Sequence, residues 1–304
     1  MPNEFYQHFW GPLIEEELRN LIEFALLEDT EALGDVTSLA LINDGTEGSA
    51  VIAARQNGVL AGMHAIPLIL QTVDPELSLM PLAENACSVV PGMKIAAIRG
   101  KALSILVAER LILNFISRLS GIATLTRQYV DAVAGTKARI FDTRKTTPGW
   151  RRLQKYAVVC GGGVNHRTSL ADAVLIKDNH LVLGAGNDKP LTPAGAVRKA
   201  QKFVKQHFAV PIIVEVEVDT LEQLCEVLPV NPDIVLLDNM SAEQLEEAVQ
   251  IRNQLNPAVK LEASGGINLN TVRAAAETGV DRISVGALTH SAPALDFGLD
   301  WQSV

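Results

Sequence analysis

Seven lysine and arginine residues lie between residues 139 and 167 of a chain that is otherwise acidic. The whole sequence has 26 Lys and Arg against 35 Asp and Glu, a formal net charge of −9. This segment has a single acid, Asp142, and it contains the pairs Arg144-Lys145 and His166-Arg167, the second shortly after three glycines. Guanidinium and ammonium groups bind carboxylates and phosphates. The local excess of cations therefore predicts a site for an anionic ligand.

Polar residues recur wherever a short apolar segment ends in the second half of the chain. Six such segments follow residue 138 and alternate with helical stretches: ARIFDTRK, AVLIK, IIVEVEV, DIVLLD, KLEAS and DRISVG. They end in Arg144-Lys145, Lys177, Glu217, Asp238, Ser264-Gly265-Gly266 and Gly286. In a parallel barrel the loops after the strands meet at one mouth, so we expect these residues to lie together. Any single strand ends in something polar, but six ends suited to one anionic, hydroxylated substrate argue against coincidence.

The two acids at these ends have three possible roles. Glu217 and Asp238 can ligate Mg²⁺, hold sugar hydroxyl groups or act as bases. Glu215 lies on the same face of its strand as Glu217 but further from the mouth. A pair that does plain acid/base work is less favoured, because the nearby cations would keep both carboxyl groups ionised.

The glycine-rich turns predict close approach of backbone to ligand. Ser264-Gly265-Gly266 and Val285-Gly286-Ala287 follow strands, and barrels often bind phosphate at such loops through backbone N–H groups. The three glycines from 161 to 163 would let the following His-Arg pair turn inward. We expect Arg151, Arg152 and Lys155 to be solvated cations on a helix. His64, His180, His207 and His290 show no metal-ligand spacing and are expected to be structural or surface residues; of these four, only His180 falls on a mouth loop.

The elements that position these residues are predicted to form an α/β fold. Apolar strands that alternate with amphipathic helices indicate a parallel sheet, and no G-x-G-x-x-G follows its first strand. An incomplete (β/α) barrel of about six to seven parallel strands is therefore favoured over a dinucleotide-binding sheet. Its helices are expected to begin near Pro193, Thr220, Ser241 and Asn268.

The first third of the chain is predicted to be a separate α+β domain. The apolar spacing from Leu13 to Leu26 indicates a helix. Asn57-Gly58 predicts a hairpin, and a later strand is expected to turn at Gly100. A long helix follows, with a possible break near Gly121.

Composition excludes several classes of protein. A mean hydropathy of +0.18 with 20% charged residues is typical of a soluble α/β protein. The negative net charge argues against a nucleic-acid or membrane-surface partner. Three cysteines with no pairing pattern, an acidic start unlike a signal peptide and no apolar run of about 20 residues predict a cytoplasmic protein.

The segment DTRKTTPGWRRLQKYAVVCGGGVNHRTSLADAVLIKDNH resembles the signature of the quinolinate phosphoribosyltransferase family. The resemblance covers nearly the whole chain through LLEDTEALGDVTS, ERLILNFISRLSGIAT, EVEV, LLDNM, LEASGGI and ISVGALTHS. It implies a transferase that joins quinolinate to 5-phosphoribosyl-1-pyrophosphate with Mg²⁺, yielding nicotinate mononucleotide for NAD biosynthesis, pyrophosphate and CO₂. It also implies an N-terminal α+β open sandwich, residues 1–120 joined by 290–304, and a barrel domain at 121–289.

The resemblance implies a role for each matched residue. The quinolinate carboxylates would be surrounded by Arg144, His166, Arg167 and Lys177, and the phosphoribosyl donor would face Lys145. Thr143 would be a further substrate-binding residue. The ribose hydroxyls and Mg²⁺-pyrophosphate would be held by Glu217 and Asp238, and the 5-phosphate by Ser264, Gly265, Gly266, Val285, Gly286 and Ala287. Catalysis is expected from Lys145, Lys177, Glu217 and Asp238. Arg110 would reach into a partner's site, which implies a dimer or hexamer. Trp150 departs from the family pattern, where an aliphatic residue is expected.

Two alternatives stay open at this point. One is a phosphoribosyltransferase of the same architecture that acts on another acceptor, such as those linked to molybdenum transport; it should lack part of the cation cluster. The other is a catalytically silent phosphate-binding or regulatory barrel, which would release no pyrophosphate.

Overall fold

The computed structural model describes residues 4–184 and 191–302, and no helix in these ranges is long and apolar enough to cross a membrane. The helices are α1 (Pro12–Thr30), α2 (Val36–Leu41), α3 (Ala65–Val73), α4 (Ala102–Ala132), α5 (Arg151–Cys160), α6 (Asp178–Leu183), α7 (Pro193–His207), α8 (Leu221–Val227), α9 (Ala242–Leu255), α10 (Val272–Glu277) and α11 (Ala287–His290). The strands are β1 (Glu47–Ala54), β2 (Gly58–Val59), β3 (Ser78–Pro81), β4 (Ser88–Val89), β5 (Lys94–Lys101), β6 (Arg139–Phe141), β7 (Ala173–Ile176), β8 (Ile213–Val218), β9 (Ile234–Asp238), β10 (Lys260–Ser264), β11 (Arg282–Ser284) and β12 (Phe297–Trp301). A 3₁₀ turn, Leu228–Val230, follows α8.

One of two compact units comprises Met1–Gln7, Gln128–Lys145 and Gly163–Ala287. Its sheet has six strands in the order β6-β11-β10-β9-β8-β7, and every pairing is parallel. Its edge strands, β6 and β7, do not pair with each other in the described residues, and Val164 instead bridges to Phe141 in parallel. The incomplete parallel barrel predicted from the sequence is confirmed, and all six predicted strands belong to it.

Alternation along each strand sorts the side chains of this sheet into layers. The lowest is apolar: Phe5, Phe141, Val164, Ala173, Ile213 and Ile234 form a buried cluster. Two residues further along β8 comes Glu215, and two further comes Glu217, on the same face. On this face of β8, the side chains therefore change from apolar near the start of the strand to acidic toward its carboxyl end.

Helix starts in this unit follow the predicted capping residues closely. Thr192 and Thr220 each accept a hydrogen bond from a first-turn backbone N–H group, and Ser241 forms a capping box with Gln244. Only α10 begins later than expected. The carbonyl of Asn268 accepts the N–H groups of Thr271 and Val272, so a turn occupies the residues where a helix was predicted.

The second unit comprises His8–Arg127, Thr146–Gly162 and Leu288–Val304. Its main sheet is antiparallel in the order β12-β1-β5-β3, and β2 pairs separately with β4. The helix predicted from Leu13 to Leu26 is confirmed as α1, whose buried Ile14, Leu18 and Ile22 recur every four residues. The predicted α+β fold is confirmed here, whereas the domain limits proposed from the sequence stay a prediction.

Three local predictions in this unit are wrong. Asn57-Gly58 does not join a hairpin, because β1 pairs with β5 and β12 whereas β2 pairs with β4. Gly100 is no turn, since β5 runs through it to Lys101. The helix does not break at Gly121 either. An added Cβ there would lie 1.9 Å from the Pro293 carbonyl oxygen, so this glycine allows a close approach of backbone.

Replacing Gly121 by alanine should therefore destabilise the protein. We expect a loss of at least about 1–3 kcal/mol, because the clash is with backbone and not with a flexible side chain. Thermal unfolding would measure the loss, with Gly11→Ala as the control, since a Cβ at Gly11 meets nothing closer than 4.0 Å. Equal melting temperatures for the two variants would contradict the prediction.

The expectation that α5 presents a solvated row of cations is wrong for one of them. Lys155 is fully buried, along with its neighbours from 153 to 158, because α5 is enclosed on nearly all sides. Arg151 and Arg152 are half-buried; the first donates to Thr146 and the second pairs with Glu17.

Candidate active site

The carboxyl ends of β7, β8 and β9 bring a lysine and two acids together. Glu217 lies near the end of β8, Asp238 ends the neighbouring β9, and Lys177 directly follows β7. The Lys177 ammonium donates to Glu217 Oε2. These three predicted site residues therefore share one edge of the sheet, as the strand pattern required.

The electrostatics of this edge suit a bound cation. Burial raises the pKa of Glu217, and Asp238 and Asp219 raise it further against the opposing pull of Lys177. Burial likewise raises the pKa of Asp238, with Lys177 and Lys145 opposing and Asp219 adding to the shift. Burial thus outweighs the compensation that Lys177 gives to both carboxylates, and a divalent cation would add to that compensation.

Removing the charge of Asp238 should stabilise the substrate-free protein. A carboxyl group whose pKa is higher in the folded than in the unfolded chain destabilises the fold once it is ionised, so stability is lost as the pH rises through the folded pKa. We expect Asp238→Asn to raise the free energy of unfolding at neutral pH by the lower end of about 0.5–2 kcal/mol, and the melting temperature with it, because solvent still screens this group. The gain should shrink as the pH falls and the carboxyl of the unchanged protein becomes protonated. A matched Glu246→Gln change on the exposed face of α9 should show no gain; a lower melting temperature for Asp238→Asn would contradict the argument.

Arg144 and Arg167 lie close enough for their charges to interact. Arg144 follows β6, is half-buried, and its Nε has no hydrogen-bond partner among the described residues. Arg167 is 9% exposed, and its Nη1 donates to the Ala173 carbonyl at 3.2 Å. Burial lowers the pKa of Arg167, and the charge of Arg144 lowers it further. Two like charges held this close in a buried setting favour a ligand with carboxylate groups.

Asp142 connects the two arginine segments. Its carboxylate is fully buried, Oδ1 accepts the His166 backbone N–H at 2.8 Å, and Oδ2 accepts Asn165 Nδ2 at 2.7 Å. Gln7 accepts the Asn165 backbone N–H at 2.8 Å. The segment after the glycine run is therefore fixed against the end of β6, which places His166-Arg167 beside Arg144-Lys145.

Below the mouth lies a second, buried polar layer. His166 Nε2 is 3.1 Å from Glu215 Oε2 and 3.4 Å from Glu262 Oε1, and both glutamates are fully buried. Arg282 pairs with Glu262 in the β10–β11 register. His166 first, and then the charge of Arg282, lower the pKa of Glu262 against the effect of burial. Burial lowers the pKa of His166, but the charges of Glu215 and Glu262 outweigh it and raise the pKa to about 10.

The remaining predicted residues fall into two groups. Thr143 Oγ1 accepts the Lys145 backbone N–H at 3.0 Å, and the Lys145 side chain is exposed. At the predicted phosphate loops, a Cβ on Gly265 would lie 2.2 Å from Asn239 Oδ1, whereas Gly266 opens onto free space. Val285 is buried and donates to the Phe141 carbonyl.

Two other sequence features have structural explanations. His180 accepts the Lys177 backbone N–H through Nδ1 at 3.0 Å and so caps α6. Trp150, the departure from the family pattern, stacks on Phe115 with ring centroids 4.7 Å apart.

Arg110 is an exposed residue of α4 in the second unit.

Family models and known relatives match the chain over almost its full length. Residues 122–300 match the quinolinate phosphoribosyl transferase C-terminal domain, and residues 35–120 match the N-terminal domain of the same family. The chain belongs to the quinolinate phosphoribosyltransferase family. The family resemblance predicted from the sequence motifs is thus confirmed.

Relatives of this family member come from bacteria and plants. It is 43% identical over 284 residues to a nicotinate-nucleotide pyrophosphorylase [carboxylating] of Mycobacterium leprae, covering 93% of this chain and 96% of the relative. A mitochondrial quinolinate phosphoribosyltransferase [decarboxylating] of Nicotiana tabacum is 40% identical, with 93% and 82% of the two chains covered. The solved nicotinate-nucleotide pyrophosphorylase of Francisella tularensis superposes with a TM-score of 0.88 at 38% identity, covering 98% of this chain and all of that one.

Sequence reasoning missed two residues that shape the site of this family member. Asp142 was noted only as the single acid among cations, and Glu262 was passed over inside KLEAS. A charged residue between apolar neighbours in a strand was the available signal. This signal does not identify the residues that Asp142 and Glu262 contact, because Arg282 and His166 come from distant parts of the chain.

Proposed function

We propose that the protein transfers the phosphoribosyl group of 5-phosphoribosyl-1-pyrophosphate to quinolinate, in de novo NAD biosynthesis. The products are nicotinate mononucleotide, pyrophosphate and CO₂. The observation that carries this proposal is the pair of interacting arginines, Arg144 and Arg167, of which Arg144 follows β6 at the sheet edge that also carries Lys177, Glu217 and Asp238. The two substrates need cations that bind a dicarboxylate and acids that bind a sugar and a metal ion. The family to which the chain belongs supports the same function.

Quinolinate would be held chiefly by the arginines. Its two adjacent carboxylates match the guanidinium groups of the half-buried Arg144 and the buried Arg167, each of which can donate two parallel hydrogen bonds. Arg144 Nε is buried and unused within the described residues, so it is free to donate. Lys177 would contribute a third cation, and its present partner Glu217 would then turn to the sugar.

The first chemical step forms a bond from the pyridine nitrogen to C1 of the ribosyl group. The C1–O bond to pyrophosphate breaks, and its electron pair leaves with the pyrophosphate. Lys145, exposed at the mouth, would stabilise the negative charge that develops on this leaving group. Positioning of the two substrates would supply most of the remaining rate acceleration, and no covalent nucleophile is required.

The second step removes CO₂. The ring nitrogen is now quaternary and positive, so the ring can hold the electron pair left when the bond to the neighbouring carboxylate breaks. A proton from solvent then adds to that ring carbon and completes nicotinate mononucleotide. The arginines would keep the second carboxylate in place throughout.

The acids at the mouth fit a magnesium ion. Glu217 and Asp238 offer carboxylate oxygens, the ligands Mg²⁺ prefers, and burial raises the pKa of each acid despite the opposing charge of Lys177. Bound there, Mg²⁺ would neutralise charge on the pyrophosphate group. Glu217 and Asp238 would also accept hydrogen bonds from the ribose hydroxyls.

Several finer parts of the proposal rest on the family pattern. Gly266 lies next to open space and suits an approach of the 5-phosphate to backbone, as do the residues from 285 to 287. Arg110 is exposed, which is compatible with a contribution to a partner's site in a dimer or hexamer. The free thiols of Cys87, Cys160 and Cys225 agree with a cytoplasmic location.

One assay tests the proposal. The protein is mixed with Mg²⁺, 5-phosphoribosyl-1-pyrophosphate and quinolinate, and nicotinate mononucleotide, pyrophosphate and CO₂ are each measured. We expect all three in equal amounts, and none without the donor. Turnover of nicotinate but not of quinolinate would point to another acceptor, and no pyrophosphate with either acceptor would point to a silent barrel.

A further inference from the structure

We infer that Phe5 is a positioning residue of the quinolinate site and that it acts through His166, whose ring it holds in the orientation that meets the substrate. This inference rests on the proposed function, and on the contact with quinolinate that the family resemblance implies for His166. It assigns a role to residues 4–7, which lie outside both segments that match the family models.

Residues 4–7 are fixed against the segment that carries His166. Val164 bridges to the end of β6, and the next residue, Asn165, is bound by the Gln7 side chain. Gln7 Oε1 accepts the Asn165 backbone N–H at 2.8 Å, and Gln7 Nε2 donates to the Asn165 carbonyl at 3.2 Å. Both backbone groups of the residue before His166 are thus held by one side chain.

Phe5 connects the apolar base of the parallel sheet with the buried polar layer. It is 5% exposed and belongs to the same buried cluster as Phe141. Its ring packs on the ring of His166, with centroids 4.4 Å apart and planes inclined by 33°. The guanidinium carbon of Arg282 lies 5.3 Å from the centroid of the Phe5 ring and 4.7 Å from that of Phe141. A ring packed among such neighbours keeps one rotamer, so Phe5 gives the imidazole a rigid surface.

The polar groups around His166 meet the edge of its ring. Nε2 lies 3.1 Å from Glu215 and 3.4 Å from Glu262, and Nδ1 lies 2.9 Å from the Arg167 backbone nitrogen. Polar contacts of this kind weaken steeply only at large angular deviations, so they tolerate a tilt of the ring about its Cβ–Cγ bond. Contact with a flat, fixed neighbour does not tolerate that tilt. Phe5 therefore sets the plane of the imidazole.

The orientation of His166 bears on quinolinate because the imidazole would contact one of its carboxylates. A binding group displaced by about 1 Å can cost up to roughly a hundredfold in rate, even when the substitution lies away from the reacting atoms. Phe5 touches no substrate in this scheme. It fixes a side chain that does, before quinolinate binds.

The Phe5→Leu variant tests the inference, because leucine keeps an apolar side chain and removes the flat ring. We expect KM for quinolinate, and its Kd measured by calorimetry without the donor, to rise about tenfold while kcat changes by less than about twofold. Ile234→Val is the matched control, since it also trims a buried side chain of the same cluster, and it should leave both constants unchanged. Quinolinate affinity equal in the two variants would reduce Phe5 to a core residue and overturn the inference.

A double-mutant cycle shows whether Phe5 acts through His166. In a His166→Ala background, Phe5→Leu should change the quinolinate Kd by less than about twofold, because the ring that Phe5 orients is gone. A loss of equal size in both backgrounds would overturn the inference.

A second variant does not depend on a change in the core. Gln7→Ala removes the side chain that binds Asn165 and leaves the buried cluster intact. The quinolinate Kd should rise by about two- to fivefold, the scale of a lost hydrogen bond. If Phe5→Leu does not fold, this variant decides: an unchanged Kd would overturn the inference.

An NMR measurement separates this inference from the proposed function. Relaxation of the histidine ring C–H groups in the substrate-free protein, with His166 assigned by its loss in His166→Ala, reports how far the ring is ordered. The order parameter of the His166 ring should be lower in Phe5→Leu than in Ile234→Val, and equal values would overturn the inference even in an active enzyme. Unchanged protein that makes no nicotinate mononucleotide would instead count against the proposed function, and the NMR result would still decide whether Phe5 orients His166.

Discussion

Replacement of Arg167 by alanine is expected to lower kcat/KM for quinolinate by more than tenfold. This guanidinium is buried, donates to the Ala173 carbonyl and interacts with the charge of Arg144, so it would bind a carboxylate from a fixed position. A lost hydrogen bond to a charged group costs roughly 1.5–3 kcal/mol. The carboxylates are bound before and during the reaction, so most of the loss should appear as a higher KM for quinolinate.

Steady-state kinetics with quinolinate varied at saturating donor would measure this loss. Lys202→Ala on the exposed face of α7 is a matched control, because it also removes one cation but leaves the site untouched. Arg167→Ala with kinetics near those of the control would remove Arg167 from the site.

Replacement of Lys145 by alanine is expected to cost a similar factor through a different parameter. Lys145 is exposed at the mouth and close enough to Asp238 to lower its pKa. Its ammonium would face the donor, where negative charge grows as pyrophosphate leaves. An interaction that strengthens in the transition state lowers kcat when it is lost, so kcat should fall more than tenfold while KM for quinolinate changes little.

Kinetics at saturating concentrations of both substrates would isolate this effect. Lys145→Arg should recover part of the rate because it keeps the charge, whereas the Lys202→Ala control should match the unchanged protein. A Lys145→Ala variant that loses quinolinate affinity and keeps kcat would assign this lysine to the acceptor side instead.

The parallel sheet could be predicted from the sequence because its signals are periodic and independent of context. Strands buried on both faces read as unbroken apolar runs, and each run ends in a polar residue. Lys177, Glu217 and Asp238 were therefore placed together by topology alone. The capping residues Thr220 and Ser241 gave the helix starts for the same reason, since a cap is a local feature.

The wrong predictions share a cause: contacts between distant segments decided the outcome. Asn57-Gly58 has the sequence of a hairpin, but the partner strands of β1 lie elsewhere in the chain. Gly121 looks like a helix break and instead admits the backbone at Pro293. Lys155 has the composition of a surface residue and is enclosed on all sides.

The buried polar layer lay beyond sequence reasoning for a related reason. Glu215 could be placed on the inner face by alternation, but its partner is a histidine that returns from a loop held by Asp142. Glu262 and Arg282 become neighbours only through the register of β10 and β11. Pairings of this kind follow from the sheet and cannot be derived from either segment alone.

The antiparallel sheet has a consequence for synthesis on the ribosome. β12 pairs along the whole of its length with β1, yet it is translated only after every strand of the parallel sheet. Until then one edge of β1 exposes unpaired N–H and C=O groups, which can associate with another chain. Chains that stall before residue 297 should accordingly be more prone to aggregate than completed ones, and a chaperone that covers strand edges would protect the nascent protein.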